Sequence, residues 1–225
     1  SVVEGLLPLI QQLPADWHSD VLVRRNKLEK NSPVVTNNVD EIYQIEPPLP
    51  FDKYNGKDIS MRSGFFIKTL SEKLPPDRII FDEALTNSPP VNRYLPGKKP
   101  GDRMLTRGGS LGTGFPGAIG AKLAHPDRCV VGFSGDGGSM YTIQCLWTAA
   151  RHNVAAKFVV CQNRSYKLLQ ANISKFWEER GITGRDFPTP FDLSKPEISF
   201  SQIANSFSVA AEEVVSPNQV EDAID

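Results

Sequence analysis

The run Gly135-Asp136-Gly137-Gly138 follows directly on the apolar stretch Cys129-Val-Val-Gly-Phe133. Ser139 then opens a segment with helical spacing. In open parallel sheets, ligands bind beyond the carboxyl ends of the strands. Gly135, Gly137 and Gly138 let backbone N–H groups approach a ligand with no Cβ in the way. The helix start offers unpaired N–H groups and the positive end of a dipole, which favour an anion such as a diphosphate. A bare Asp136 carboxylate beside that anion is unfavourable. A hard divalent cation between them removes the conflict, and magnesium suits such oxygen ligands, with diphosphate oxygens completing its shell.

Asn163 lies 27 positions after Asp136, at the end of the next apolar run, Lys157-Phe-Val-Val-Cys161. A loop, a helix and a strand account for that interval, with about 14 residues in the helix and about six in the strand. Neighbouring strands run about 4.8 Å apart, so two strand ends can present both side chains to one ion. The Asn163 amide oxygen is a neutral hard ligand, and the Ser165 backbone carbonyl would supply a third.

The elements that must position these groups follow from the rest of the chain. Ser60 is placed to cap a helix running to about Leu74, ended by Pro75-Pro76. Strands are expected at Arg78–Phe81, Arg103–Thr106, Cys129–Phe133, Lys157–Cys161 and Phe207–Ala211. Helices are expected at Thr86–Tyr94 (short, broken by prolines), Gly112–Ala124, Ser139–His152 and Tyr166–Arg180. The Ser139–His152 helix reads as amphipathic, with Met140, Ile143, Leu146, Trp147 and Ala150 at helical spacing. Short apolar strands alternating with helices indicate a three-layer α/β domain with a mostly parallel sheet. Residues 1–58 read as the tail of a preceding domain and a linker, with a possible helix at Val2–Leu13 and prolines at Glu46–Phe51. Residues 59–225 form the α/β domain. A capped helix begins at Ser216 and stops at Asp225 where a closing strand is expected, so the chain reads as truncated there.

Gly-Asp-Gly, 24 residues, then a pair ending in Asn resembles the motif of the thiamine-diphosphate-dependent 2-oxo acid decarboxylase and acetolactate synthase family. The pair is Gln162-Asn163 here, against the family's usual Asn-Asn. The resemblance covers about Ile79 to Gln170 and is to the benzoylformate decarboxylases and their acetolactate-synthase-like relatives in particular. Gly109-Ser-Leu-Gly-Thr-Gly-Phe-Pro-Gly-Ala-Ile-Gly120 and Leu146-Trp-Thr-Ala-Ala150 carry it.

The resemblance implies the family's thiamine-diphosphate-binding fold, with thiamine diphosphate and Mg2+ as cofactors. It implies magnesium ligation by the Asp136 and Asn163 side chains and the Ser165 carbonyl, and diphosphate contacts at Gly137 and Gly138. It also implies that Leu111 props the cofactor into a bent conformation and that the Gly109 carbonyl meets its aminopyrimidine. Asp82–Ser88 corresponds to another diphosphate-contacting loop, with Thr86 as the best candidate. The tautomerising glutamate of this family comes from a pyrimidine-binding domain of a partner subunit. No catalytic residue is therefore expected in this chain, and the fragment alone is expected to be inactive. The full enzyme is expected to be a homodimer or homotetramer acting on a 2-oxo acid, as a decarboxylase or a carboligase.

Other readings weigh less. Gly112-Thr-Gly-Phe-Pro-Gly117 fits a dinucleotide fingerprint, but follows a poor strand. Gly108-Gly-Ser-Leu-Gly112 fits a nucleophile elbow, but only Asp136 and His152 follow in the required order. A non-catalytic cofactor-binding module is the remaining alternative. His18, His125 and His152 form no ligand spacing. The formal net charge of -1 shows no basic footprint for nucleic acid. No run approaches a membrane span of about 20 apolar residues. Cys129, Cys145 and Cys161 form no CxxC pair, and Cys129 and Cys161 read as buried free thiols. These features point to a cytoplasmic protein.

Overall fold

The computed structural model describes residues 62–106 and 108–224. They fall in the second of two units into which the chain divides, Ile45–Asp225. The expected Val2–Leu13 helix, the Glu46–Phe51 linker, the Ser60 cap and the boundary near residue 58 lie outside the described residues.

Four parallel strands form one sheet in the order β2-β1-β3-β4. They are β1 (Ile79–Glu83), β2 (Arg103–Leu105), β3 (Val130–Gly135) and β4 (Lys157–Cys161). The order reverses between β1 and β3, so their carboxyl ends flank the crevice where such sheets take ligands. Alternate side chains of β1 and β3 face opposite layers. Ile80, Val131 and Phe133 pack with Ile67, Leu70, Val91 and Leu95 of helices α1 (Ser63–Lys73) and α2 (Ser88–Tyr94) and their ends. Ile79 and Val130 pack with Ala118 and Ala121 of helix α3 (Gly114–Ala124). The result is the expected three-layer α/β fold.

Small residues let α3 lie close on the sheet. A Cβ on Gly132 would stand 2.7 Å from the Ala118 Cβ, and Gly117 leaves room for the Phe81 ring. The prolines after Ser88 sit in the first turn of α2, where a missing N–H is harmless, so they begin that helix rather than break it.

Two further expectations are corrected. The Ser139–His152 helix is two pieces, α4 (Asp136–Ser139) and α5 (Cys145–Arg151), joined by turns. The Thr142 hydroxyl donates to the Gly112 carbonyl at 2.7 Å, and tight bonds such as Tyr141 N–H to Gly138 carbonyl replace the helical ladder. The break shifts the helical phase. Leu146 and Ala149 are buried, while Met140 and Trp147 are exposed.

Phe207–Ala211 is not a strand. Helix α7 (Phe200–Ser206) ends with Ser208 at φ 63 and a Val209 N–H to Ala204 carbonyl bond, the signature of a left-handed helix stop. Phe207, Val209 and Ala211 still pack against the Phe115 and Leu146 cluster, so their apolar pattern reports burial without strand pairing. Helix α6 (Lys167–Glu179) and the capping box at Ser216, followed by α8 (Val220–Ile224), match expectation. Among the described residues, no helix is long and apolar enough to cross a membrane.

Candidate functional site

The register of β3 against β4 pairs Gly135 with Cys161, so Asp136 and Asn163 leave adjacent strands at the same edge. Asp136 is 4% exposed. Its Oδ1 accepts the Gly137 N–H at 2.9 Å, and its Oδ2 accepts those of Asn163 at 3.1 Å and Arg164 at 2.6 Å. Three of roughly four carboxylate acceptor sites are thus used, which leaves one open. The Asn163 side chain is exposed, and its Oδ1 accepts the Ser165 N–H at 3.0 Å. The Ser165 carbonyl accepts the Lys167 N–H at 2.8 Å, and the Ser165 hydroxyl is buried without a partner.

Arg164 holds the turn between these groups with φ 57, a conformation costly for a side-chain-bearing residue. Its guanidinium pairs with Glu197, and its carbonyl accepts the Leu193 N–H at 2.9 Å. Gln162 reaches the Ile198 carbonyl at 2.9 Å, so this departure from the family pair fastens the segment before α7 to the end of β4.

Gly135 caps α4, and Gly137 and Gly138 are buried within it. A Cβ on Gly137 would run into the Tyr166 ring, and one on Gly138 would stand 2.9 Å from the Ser134 hydroxyl. Thr86 is exposed on a short 3-10 turn, Leu85–Asn87, just beyond β1. Leu85 there has φ 52. Gly109 and Leu111 sit on the loop between β2 and α3. Gly109 has φ 71 with open space on its Cβ side, and Leu111 is 36% exposed. The stem of that loop meets the turn after α4, because a Cβ on Gly112 would stand 2.6 Å from the Tyr141 Cβ.

The sequence reading missed Glu83. It ends β1 and is 1% exposed. Its Oε1 accepts the Gly112 N–H at 2.5 Å and its Oε2 accepts that of Gly114. The first N–H of α3, at Gly114, and the Gly112 N–H just before the helix are therefore already bonded to an internal carboxylate. This removes the structural basis for reading Gly112–Gly117 as a dinucleotide fingerprint. Neighbouring Asp82 is also buried, accepting from Ala84 N–H and the Ser88 hydroxyl and pairing with Arg103 at 2.5 Å. A glutamate at a strand end has no sequence signal that separates an internal clamp from a surface charge.

Among the described residues, no three His, Cys, Asp or Glu side chains gather to hold a metal. A cation here would rely on one carboxylate, an amide, a carbonyl and the oxygens of a bound anion, which is the donor chemistry of magnesium. The open acceptor site on Asp136 and the orphaned Ser165 hydroxyl fit a group bound at this edge.

Comparison with known proteins shows the family of the chain. Residues 87–225 match the family described as thiamine pyrophosphate enzyme, C-terminal TPP binding domain. Benzoylformate decarboxylase of Pseudomonas aeruginosa is 31% identical over 150 residues, covering 67% of this chain and 27% of that protein. The acetolactate synthase large subunit of Lactococcus lactis is 27% identical over 223 residues, covering 98% of this chain and 36% of that protein. The solved thiamine diphosphate-dependent 4-hydroxybenzoylformate decarboxylase of Rhodococcus jostii superposes with a TM-score of 0.63 at 25% identity, covering 80% of this chain and 33% of that one. The chain thus spans only about a third of the length of these relatives. With the matched segment covering more than half of its residues, the chain belongs to the thiamine pyrophosphate enzymes, in their C-terminal cofactor-binding domain.

Proposed function

We propose that this chain is the diphosphate- and magnesium-holding part of a cytoplasmic, oligomeric enzyme that decarboxylates or carboligates 2-oxo acids. The observation that supports this most is the buried Asp136 carboxylate, drawn to the Asn163 and Arg164 N–H groups across two strand ends with one acceptor site open. Asp136 and Asn163 would offer side-chain oxygens to the cation, and Ser165 its carbonyl. Gly137 and Gly138 would leave room for the diphosphate at the edge, with Gly135 and Thr86 beside it. The loop bearing Gly109 and Leu111 would hold the aminopyrimidine and keep the cofactor bent. When bound, the cofactor supplies the electron sink for decarboxylation, and the protein orients it.

The tautomerising glutamate would come from the pyrimidine-binding domain of a partner subunit, so this chain alone turns over no substrate. The test is calorimetric titration with thiamine diphosphate, with and without magnesium, on this chain and on a longer polypeptide carrying the pyrimidine-binding domain. Magnesium-dependent binding that Asp136→Ala abolishes is the expected result. Absence of binding in both polypeptides would refute the proposal, and turnover by the isolated chain would refute the division of labour.

A further inference from the structure

The loop that carries Gly109 and Leu111 is open to solvent among the described residues. Gly108 and Gly109 have open space where a Cβ would stand, and Leu111 is among the exposed apolar side chains. Its position is therefore set at its stem. There the Thr106 hydroxyl donates to the Ser110 carbonyl, and the Thr113 hydroxyl bonds Thr106 at 3.1 Å. The far side of the stem is held by two long-range contacts. Glu83 takes the Gly112 and Gly114 N–H groups from below, and Thr142 donates to the Gly112 carbonyl from the turn after α4.

Glu83 is buried, and a carboxylate in that setting is costly unless well paired. It pairs with the Gly114 N–H, the first of α3, where the helix dipole favours an anion, and with the Gly112 N–H just before the helix. The same carboxylate reaches the other side of the crevice, because a Cβ on Gly138 would stand 3.0 Å from its Oε1. One side chain thus bonds the stem of the Leu111 loop and lies close beside Gly138 of α4.

We propose that Glu83 is a positioning residue that sets the Gly109–Leu111 loop relative to the diphosphate end of the site, and so governs recognition of the organic part of the cofactor rather than its diphosphate. The inference rests on the cofactor reading above. Glutamine has the same shape but only one acceptor oxygen, so its amide nitrogen would face one of the two N–H donors and push the stem away.

The test compares two probes, thiamine diphosphate and inorganic diphosphate, each titrated with magnesium into wild type, Glu83→Gln and Glu83→Asp in the polypeptide that binds cofactor. Glu83→Gln is expected to weaken thiamine diphosphate binding by about tenfold or more, the scale of one lost charged hydrogen bond, and to leave inorganic diphosphate within about twofold. Glu83→Asp, which keeps the carboxylate, is expected to recover part of the loss. Thr142→Val releases the same stem from its other side and is expected to show the same split, which keeps the idea testable should the Glu83 variants fold poorly. Equal loss of both probes, or unchanged thiamine diphosphate binding, in folded variants would overturn the proposal. A wild type that bound neither probe would overturn the cofactor reading itself, a distinct result.

Discussion

The Asp136 carboxylate accepts the backbone N–H of Asn163 at 3.1 Å, so the end of β3 and the end of β4 are tied by the first of two residues the sequence singled out and the main chain of the second. Asp136 therefore has a structural duty whether or not a cation is bound. Replacing it by alanine leaves three buried or half-buried N–H groups without an acceptor. At about 1–3 kcal/mol for an unsatisfied buried group, Asp136→Ala is expected to lose about 2–5 kcal/mol of stability, read from urea unfolding without ligand. Asp136→Asn keeps one oxygen and is expected to lose less.

Gly137 is required by Tyr166 as much as by any ligand. A Cβ on Gly137 would stand 2.8 Å from Tyr166 Cδ1. Gly137→Ala is expected to cost about 1–3 kcal/mol, the usual range for overpacking. The double variant Gly137→Ala/Tyr166→Ala should lose less than the sum of the singles, because the clash is removed with the ring. Additive losses in thermal or urea unfolding would show that the two residues do not compete for this space.

The Arg128 guanidinium beside Asp102, at 2.6 Å, holds its carboxyl below the usual carboxylate range, aided by the Lys99 and Lys98 N–H groups. A lowered folded-state pKa stabilises the fold above the unfolded value, about 3.9, and that stability is lost as pH falls through the folded value. Wild type should therefore exceed Asp102→Asn in urea midpoint near neutral pH. The gap should close only at acid pH, below about 4. A gap independent of pH between 2 and 7 would count against the pair.

Burial pushes the Cys161 thiol up to about 12 and Cys145 up to about 11, and raises Cys129 as well. All three are free, and each is half-buried. The thiolate is the reactive form, so native protein at pH 8 should react slowly with a disulfide reagent. Urea should release all three at the rate of unfolding. Fast reaction of Cys161 in the native state would contradict its placement under the site.

Much of the fold was legible because it rests on local signals. Continuous apolar runs marked β1, β3 and β4, and the Pro75-Pro76 pair marked the end of α1. The Ser139–His152 helix was misread because the bond from Thr142 to Gly112 joins residues 30 apart, which no periodicity records. Phe207–Ala211 was misread because an apolar alternation signals burial on one side, and only chain geometry decides whether a strand pairs.

The sequence by itself determined that glycines, one carboxylate and one amide would lie at the same sheet edge, since strand length and a parallel crossover set the spacing between Asp136 and Asn163. Tertiary structure alone decided how the carboxylate is spent, which is on the backbone of the neighbouring turn. It alone showed Glu83 folded inward onto α3 and Tyr166 pressed against Gly137. Both are contacts between segments 29 residues or more apart, or between a side chain and a missing Cβ. Such contacts depend on how layers stack, and the stacking is settled by burial of the whole core rather than by any residue's neighbours in the chain.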